Sequence, residues 1–140
     1  MRPACLALPD ASEKRIEIRW RDLDAYGHVN QAVYLTFAEE ALDDWFRQRL
    51  GLRPGEVWDY VVARTTIEYR SELTQADLQA VGKATLVELG RTSVTVKISL
   101  ESADGRLAAE VVTVAVAVDP ASRRPRPVTD AERAALVAAE

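Results

Sequence analysis

Cysteine and histidine are almost missing from the chain, which holds one of each, Cys5 and His28. A lone cysteine leaves no disulfide to form within the chain, and the pair cannot supply the usual nitrogen and sulfur ligands of a zinc site. A reducing compartment and no bound metal are therefore expected. Long hydrophobic runs are missing too. The stretch from Ala4 to Leu8 is far shorter than the apolar core of a secretory signal, and nothing elsewhere approaches the roughly 20 residues of a membrane span. The expectation is a cytoplasmic protein with no membrane partner. Nor is there an excess of positive charge. A formal net charge of -4 argues against a nucleic-acid partner, because such proteins usually present a basic surface that displaces counterions from phosphate. A few arginines beside a cleft could still hold one polyanionic ligand. No internal repeat or low-complexity segment is present.

What the chain does have is enough apolar material for one core: 48% hydrophobic residues over 140 positions, the size of one domain covering 1–140. Ile16, Ile18 and Trp20 alternate with Arg15, Glu17 and Arg19, the period of a half-buried strand, and the pattern stops at Arg21-Asp22. From Asn30 the spacing turns helical. Tyr34, Leu35, Phe37, Ala38, Ala41, Leu42, Trp45 and Phe46 form a broad apolar face, with Glu39, Glu40, Asp43, Asp44 and Arg47 opposite. Asn30 is a natural N-cap and Gly51 a natural stop, which predicts a helix over about 31–50. So broad a face suits a helix cradled by a curved sheet.

Strand patterns then return. Val61 to Tyr69 is rich in Val, Thr, Ile and Tyr; Leu78 to Leu89 follows; Val94, Val96, Ile98 and Leu100 alternate with Thr95, Lys97 and Ser99; Leu107 to Val118 is the last. Gly90 and the pair Asp104-Gly105 separate the last three into an antiparallel meander, the second turn matching a type I′ hairpin. The last strand has Val112, Val114, Val116 and Val118 on one face and Val111, Ala115 and Ala117 on the other. A strand apolar on both sides needs two partners. The helix can take one, and a second subunit is expected to cover part of the other. Thr129-Asp130-Ala131-Glu132 is a capping box opening a short terminal helix. The result is an α+β layout: a five-stranded antiparallel sheet around one long central helix.

The chemistry concentrates in Asp22-Leu23-Asp24-Ala25-Tyr26-Gly27-His28-Val29-Asn30-Gln31-Ala32-Val33-Tyr34. An isolated Asp-x-Asp usually makes an Asx-turn or a helix lead-in. Here it is followed by Gly-His-Val-Asn and by a helix start, whose first N–H groups lack intrahelical partners and carry partial positive charge. A carboxylate and an anion-stabilising amide close in sequence suit acyl transfer. Gly27 allows close backbone approach between them. Asp22 reads as structural, Asn30 as a cap that could also touch ligand, and Glu40 as a surface residue that could support the site.

This stretch resembles the signature of the 4-hydroxybenzoyl-CoA thioesterase family of hotdog-fold enzymes: Asp, any residue, Asp, two residues, Gly, often His-Val-Asn, then Tyr on the helix. The order of elements along nearly the whole chain falls where that family puts them. The resemblance implies that Asp24 is the catalytic carboxylate, attacking the thioester or activating a water, and that the backbone N–H of Gln31 polarises the thioester oxygen. It implies that Tyr34 lines the acyl site, beside Asn30 and Gly27. His28 stands where members vary, and Asn30-Gln31 replaces the two asparagines of many relatives. Arg64, Arg70, Lys83 and above all Arg91 are candidates for the nucleotide end of coenzyme A. The implied substrate is an acyl-CoA or acyl-carrier-protein thioester, with no cofactor, in a homodimer whose sites lie at the interface; the double-sided last strand favours a homotetramer. Two alternatives stand beside hydrolysis: a hydratase or dehydratase of acyl thioesters on the same fold, with Asp24 and His28 as base and acid, and a non-catalytic acyl-CoA binding module.

Overall fold

The computed structural model describes residues 13–138; Cys5 and the apolar run from Ala4 to Leu8 lie outside the described residues. Five strands, β1 (Glu13–Glu17), β2 (Tyr60–Tyr69), β3 (Gln79–Leu89), β4 (Ser93–Ser102) and β5 (Leu107–Ala117), and two helices, α1 (Val33–Leu50) and α2 (Asp130–Val137), make up the fold. The sheet is antiparallel throughout, in the order β1-β3-β4-β5-β2. β3, β4 and β5 form the expected meander. The two strands that flank α1 in sequence sit at opposite edges of the sheet.

Alternation decides which face is dry. In β4, Val94, Val96, Ile98 and Leu100 are fully buried, and in β5 so are Val111, Ala115 and Ala117. Against this face lies α1, with Tyr34, Phe37, Ala38, Ala41, Leu42, Trp45 and Phe46 buried. The contact is tightest where two small residues meet. A Cβ added to Gly82 on β3 would stand 2.6 Å from the Cβ of Ala41, so glycine there sets how closely the helix approaches the sheet. The opposite face is half wet. Val112, Val114 and Val116 are only partly buried, beside the ion pairs Lys83–Glu101 at 3.1 Å and Lys97–Glu110 at 3.4 Å.

The helix ends as its sequence requires. Gly51 takes φ 64°, and the N–H groups of Gly51 and Leu52 bond the carbonyls of Gln48 and Arg47, a Schellman stop. It begins later than predicted, at Val33. Asn30 Oδ1 accepts from the Ala32 N–H at 2.9 Å and its carbonyl from the Val33 N–H at 2.8 Å, so Asn30 closes a turn ahead of the helix, and Ala32, already helical in φ and ψ, occupies the cap position. Trp20 also departs from expectation. It leaves the strand for a 3₁₀ turn over Trp20–Asp22 and is 84% exposed. The cause is Asp22, whose carboxylate takes the Arg19 N–H at 2.8 Å and the Arg19 guanidinium at 2.9 Å, winding the chain before the alternation can continue. Leu78, read as the start of the third strand, lies just before it at φ 64° and is 65% exposed.

The hairpin at Asp104-Gly105 is not a type I′ turn. That turn needs positive φ at both central residues, whereas here Gly105 alone has it, at 93°. Its N–H bonds the Ser102 carbonyl at 2.9 Å and the register shifts at Leu100 and Glu101: a type I turn followed by a glycine bulge. The capping box of α2 forms as predicted, with the Glu132 N–H on Thr129 Oγ1 at 3.1 Å and the Thr129 N–H on Glu132 Oε1 at 2.9 Å. The same carboxylate binds Arg126 at 2.9 and 3.0 Å and Trp58 Nε1 at 2.8 Å. Burial opposes its ionisation, but these donors hold it well below the usual carboxylate range, at about 2. The helical layer thus consists of the 18-residue α1 and the 8-residue α2.

Candidate active site

Between β1 and α1 the chain folds into a small hairpin, with Leu23 bridged to Val29. Asp24 organises it. Its N–H donates to the His28 carbonyl at 2.8 Å, its carbonyl accepts from Gly27 at 3.1 Å, and its Oδ1 accepts from the N–H groups of Tyr26 at 2.9 Å and His28 at 3.2 Å. Gly27, at φ 82°, supplies the left-handed residue that lets the loop turn so tightly. The Asx-turn role is therefore real, and it uses one carboxylate oxygen. The other, Oδ2, has no hydrogen-bond partner among the described residues.

The hairpin is fixed on both sides. Asn30 N–H reaches the carbonyl of the buried Asp22 at 2.8 Å, and Val29 N–H reaches that of Leu73 at 2.8 Å; His28 bridges Thr74. Burial would raise the Asp22 carboxyl, but its hydrogen bonds from Arg19 and the Arg19 charge pull it below its ordinary value. Asp22 is thus a structural anion beneath the loop. The segment after β2, residues 70–74, forms the facing wall. Leu73 N–H donates to the Tyr34 hydroxyl at 2.9 Å, and the Tyr69 hydroxyl donates to the Gln31 carbonyl at 2.9 Å. The two phenol rings meet edge to face at 5.2 Å, and burial pushes the Tyr34 hydroxyl above its ordinary pKa.

Between these walls lies an open cavity of about 340 Å³ lined by Asp24, His28, Val29, Gln31, Tyr34, Tyr69, Arg70, Ser71 and Glu72. Asp24, His28, Gln31 and Tyr34, read from one stretch of the sequence, all line it. The Gln31 N–H has no acceptor among the described residues and precedes the positive end of α1. Asn30 and Gly27 shape the loop without lining the cavity. Arg91 does not join the site within one chain. It sits in the β3–β4 turn, beside the end of the sheet where Ser93 faces Val116 and Tyr60 faces Ala117, whereas the cavity adjoins Tyr69 at the opposite end of β2.

Sequence reasoning missed Tyr69, Ser71 and Glu72 as site residues and read Arg70 only as a nucleotide contact. The available signal was their place at the end of a strand, the same feature that drew attention to Asp24. His28 Nδ1 stands 3.2 Å from Glu72 Oε2. Among the described residues no group of three or more His, Cys, Asp or Glu side chains is arranged to hold a metal ion. The arrangement offers a carboxylate oxygen, a free amide, a histidine ring and aromatic walls around one space. That set can polarise a carbonyl and attack it, or direct a water to it.

Residues 18–136 match the thioesterase-like superfamily. A thioesterase of Thermus thermophilus, solved in complex with coenzyme A and zinc, is 32% identical, with 89% of this chain and 90% of that chain covered and a TM-score of 0.78. The PA5185 protein of Pseudomonas aeruginosa strain PAO1 is 28% identical over 90% of this chain and 89% of that one, with a TM-score of 0.80. Slr0204, a 1,4-dihydroxy-2-naphthoyl-CoA thioesterase of Synechocystis, shares the fold at 17% identity, covering 90% and 95% with a TM-score of 0.75. No curated relative matches the chain. The chain belongs to the thioesterase-like superfamily and is a thioester hydrolase.

Proposed function

We propose that the protein hydrolyses an acyl-CoA to the free acid and coenzyme A, in the manner of the 4-hydroxybenzoyl-CoA thioesterases and on a hotdog fold with α1 as its central helix. The observation that carries this is that Asp24 and Gln31, whose N–H has no acceptor among the described residues, line one cavity. Asp24 Oδ2 either attacks the thioester carbon, expelling the coenzyme A thiolate and leaving an anhydride that water then hydrolyses, or takes a proton from a water that attacks that carbon and expels the thiolate; the Gln31 N–H receives the oxyanion; Tyr34 and Tyr69 flank the acyl group. Coenzyme A is favoured over a carrier protein by the Thermus thioesterase that holds it. Loss of one such oxyanion donor costs roughly two to three powers of ten in rate.

The same reading makes the enzyme a cytoplasmic homodimer joined through β2. That strand is an edge, with Val61, Val62 and Tyr69 exposed at 42%, 43% and 45%, and an unpaired edge of this kind invites a partner strand. A partner running antiparallel along β2 would carry its own Arg91 toward this cavity, to meet the nucleotide end of coenzyme A there. The half-wet face bearing Val112, Val114 and Val116 is the surface for a tetramer. Sedimentation that finds a monomer would overturn the assembly.

Activity is tested with saturated and aromatic acyl-CoAs and a thiol reagent. Release of coenzyme A that disappears in Asp24→Asn supports hydrolysis. Full activity in that variant removes Asp24 from the reaction, and hydration of an enoyl-CoA without thiol release would move the assignment to a hydratase.

A further inference from the structure

We infer that Glu72 is a positioning residue for His28, holding the ring so that Nε2 faces the cavity as a hydrogen-bond acceptor. The inference rests on the reading of this cavity as the hydrolytic site, but its structural content can be measured without substrate. A neutral imidazole carries one ring proton, and which nitrogen keeps it is set by the partner of the other. Glu72 Oε2 lies 3.2 Å from Nδ1, an ion-pair distance without the alignment of a hydrogen bond; an acceptor oxygen this near favours the proton at Nδ1 and leaves the lone pair on Nε2. No hydrogen-bond partner occupies Nε2 among the described residues, and the ring lines the cavity.

The Glu72 side chain is 67% exposed, and both backbones that bring the pair together are tied down. His28 is held through its N–H on Asp24 Oδ1, its carbonyl on the Asp24 N–H and its bridge to Thr74. Glu72 accepts at its carbonyl from the Arg106 guanidinium at 2.8 Å, and its neighbour Leu73 is bonded to both Val29 and Tyr34. The cations nearby are committed to other carboxylates. Arg70 binds Glu68 at 2.7 Å and Glu110 at 3.0 Å, and Arg106 binds Asp77 at 3.1 Å. Among the described residues His28 is the one side chain that engages the Glu72 carboxylate. Asp24, Tyr34 and Tyr69 line the same cavity as His28. In hydrolysis an acceptor at Nε2 orients one O–H of the attacking water, while Asp24 acts on that water or on the acyl carbon and the Gln31 N–H on the carbonyl oxygen.

His28 is the only histidine in the chain, so nitrogen-15 correlation spectra of the imidazole report on it without assignment. In the neutral ring the wild type shows the Nδ1–H tautomer. Glu72→Ala shifts it toward the Nε2–H form that a free histidine side chain prefers, and Glu72→Gln, whose Oε1 still accepts, largely retains Nδ1–H. With acyl-CoA, Glu72→Ala lowers kcat by roughly tenfold, the equivalent of one hydrogen bond, leaves KM nearly unchanged, and has no further effect in a His28→Asn background. An Nε2–H tautomer in the wild type, or a Glu72→Ala loss that persists in His28→Asn, overturns the inference. Absence of coenzyme A release from the wild type would instead overturn the proposed function and leave the tautomer result to decide the pairing.

Discussion

Replacing Asp24 by asparagine or by alanine separates two things that its carboxylate does. Oδ1 holds the loop through the amides of Tyr26 and His28 at 2.9 and 3.2 Å, while Oδ2 has no hydrogen-bond partner among the described residues. Asparagine keeps an acceptor at Oδ1 and removes the charge. Alanine removes both. Two lost hydrogen bonds in a partly exposed loop are worth roughly 1–3 kcal/mol together, which for a chain of this size lowers Tm by roughly 3–10 °C. Asp24→Asn should therefore melt close to the wild type, yet lose about two to four powers of ten in kcat, the usual contribution of a positioned acid or base. Asp24→Ala should lose the same activity and the stability as well. Thermal unfolding followed by circular dichroism, beside coenzyme A release from the best acyl-CoA of a panel, reads both quantities. Equal melting of the two variants would refute the loop argument, and an Asp24→Asn enzyme within tenfold of wild type would refute the catalytic one.

Three further outcomes follow from the packing and the charges. Gly82→Ala puts a methyl group where Ala41 Cβ stands 2.6 Å away, and overpacking of this kind should cost about 1–3 kcal/mol, seen as a lower urea midpoint; no change would mean that α1 does not sit so close. Glu132 titrates at about 2 in the folded protein against its ordinary 4.5, so its stabilisation is complete above about pH 4.5 and is lost as pH falls toward 2. The full effect is on the order of 3 kcal/mol, and Glu132→Gln should flatten that part of the stability curve measured by denaturant titration. Tyr69→Phe removes the donor to the Gln31 carbonyl and should reduce kcat several-fold through a looser turn, the loss of one hydrogen bond; unchanged steady-state kinetics would show that the turn holds without it.

The features readable in the sequence were those in which local pattern and burial agree. The alternation of Val94, Val96, Ile98 and Leu100 matches four fully buried side chains, Gly51 ends α1 with the φ only glycine takes easily, and Thr129 with Glu132 closes the box it spells. The misreadings arose where a side chain competed with a period. Trp20 fitted an alternating strand, but Asp22 three residues from Arg19 wound the chain out of it. Asn30 fitted an N-cap, but its side chain closed the turn one step earlier. In the hairpin, Asp104-Gly105 fitted a type I′ turn, while the register shift made room for a glycine bulge. Glu72 was not legible at all, because nothing near it in the chain marks it and it meets His28 across 44 positions.

By itself the sequence determined the elements, the buried face of each and the stretch from Asp24 to Tyr34 as the candidate site, since these depend on residues a few positions apart. Only the tertiary structure decided which residues answer that stretch across the cavity, because strand pairing carries the end of β2 and the segment after it against the loop. It also placed Arg91 at the far end of the sheet and set Gly82 beneath Ala41. Distances of that kind arise from closing the chain on itself, and no local spacing encodes them.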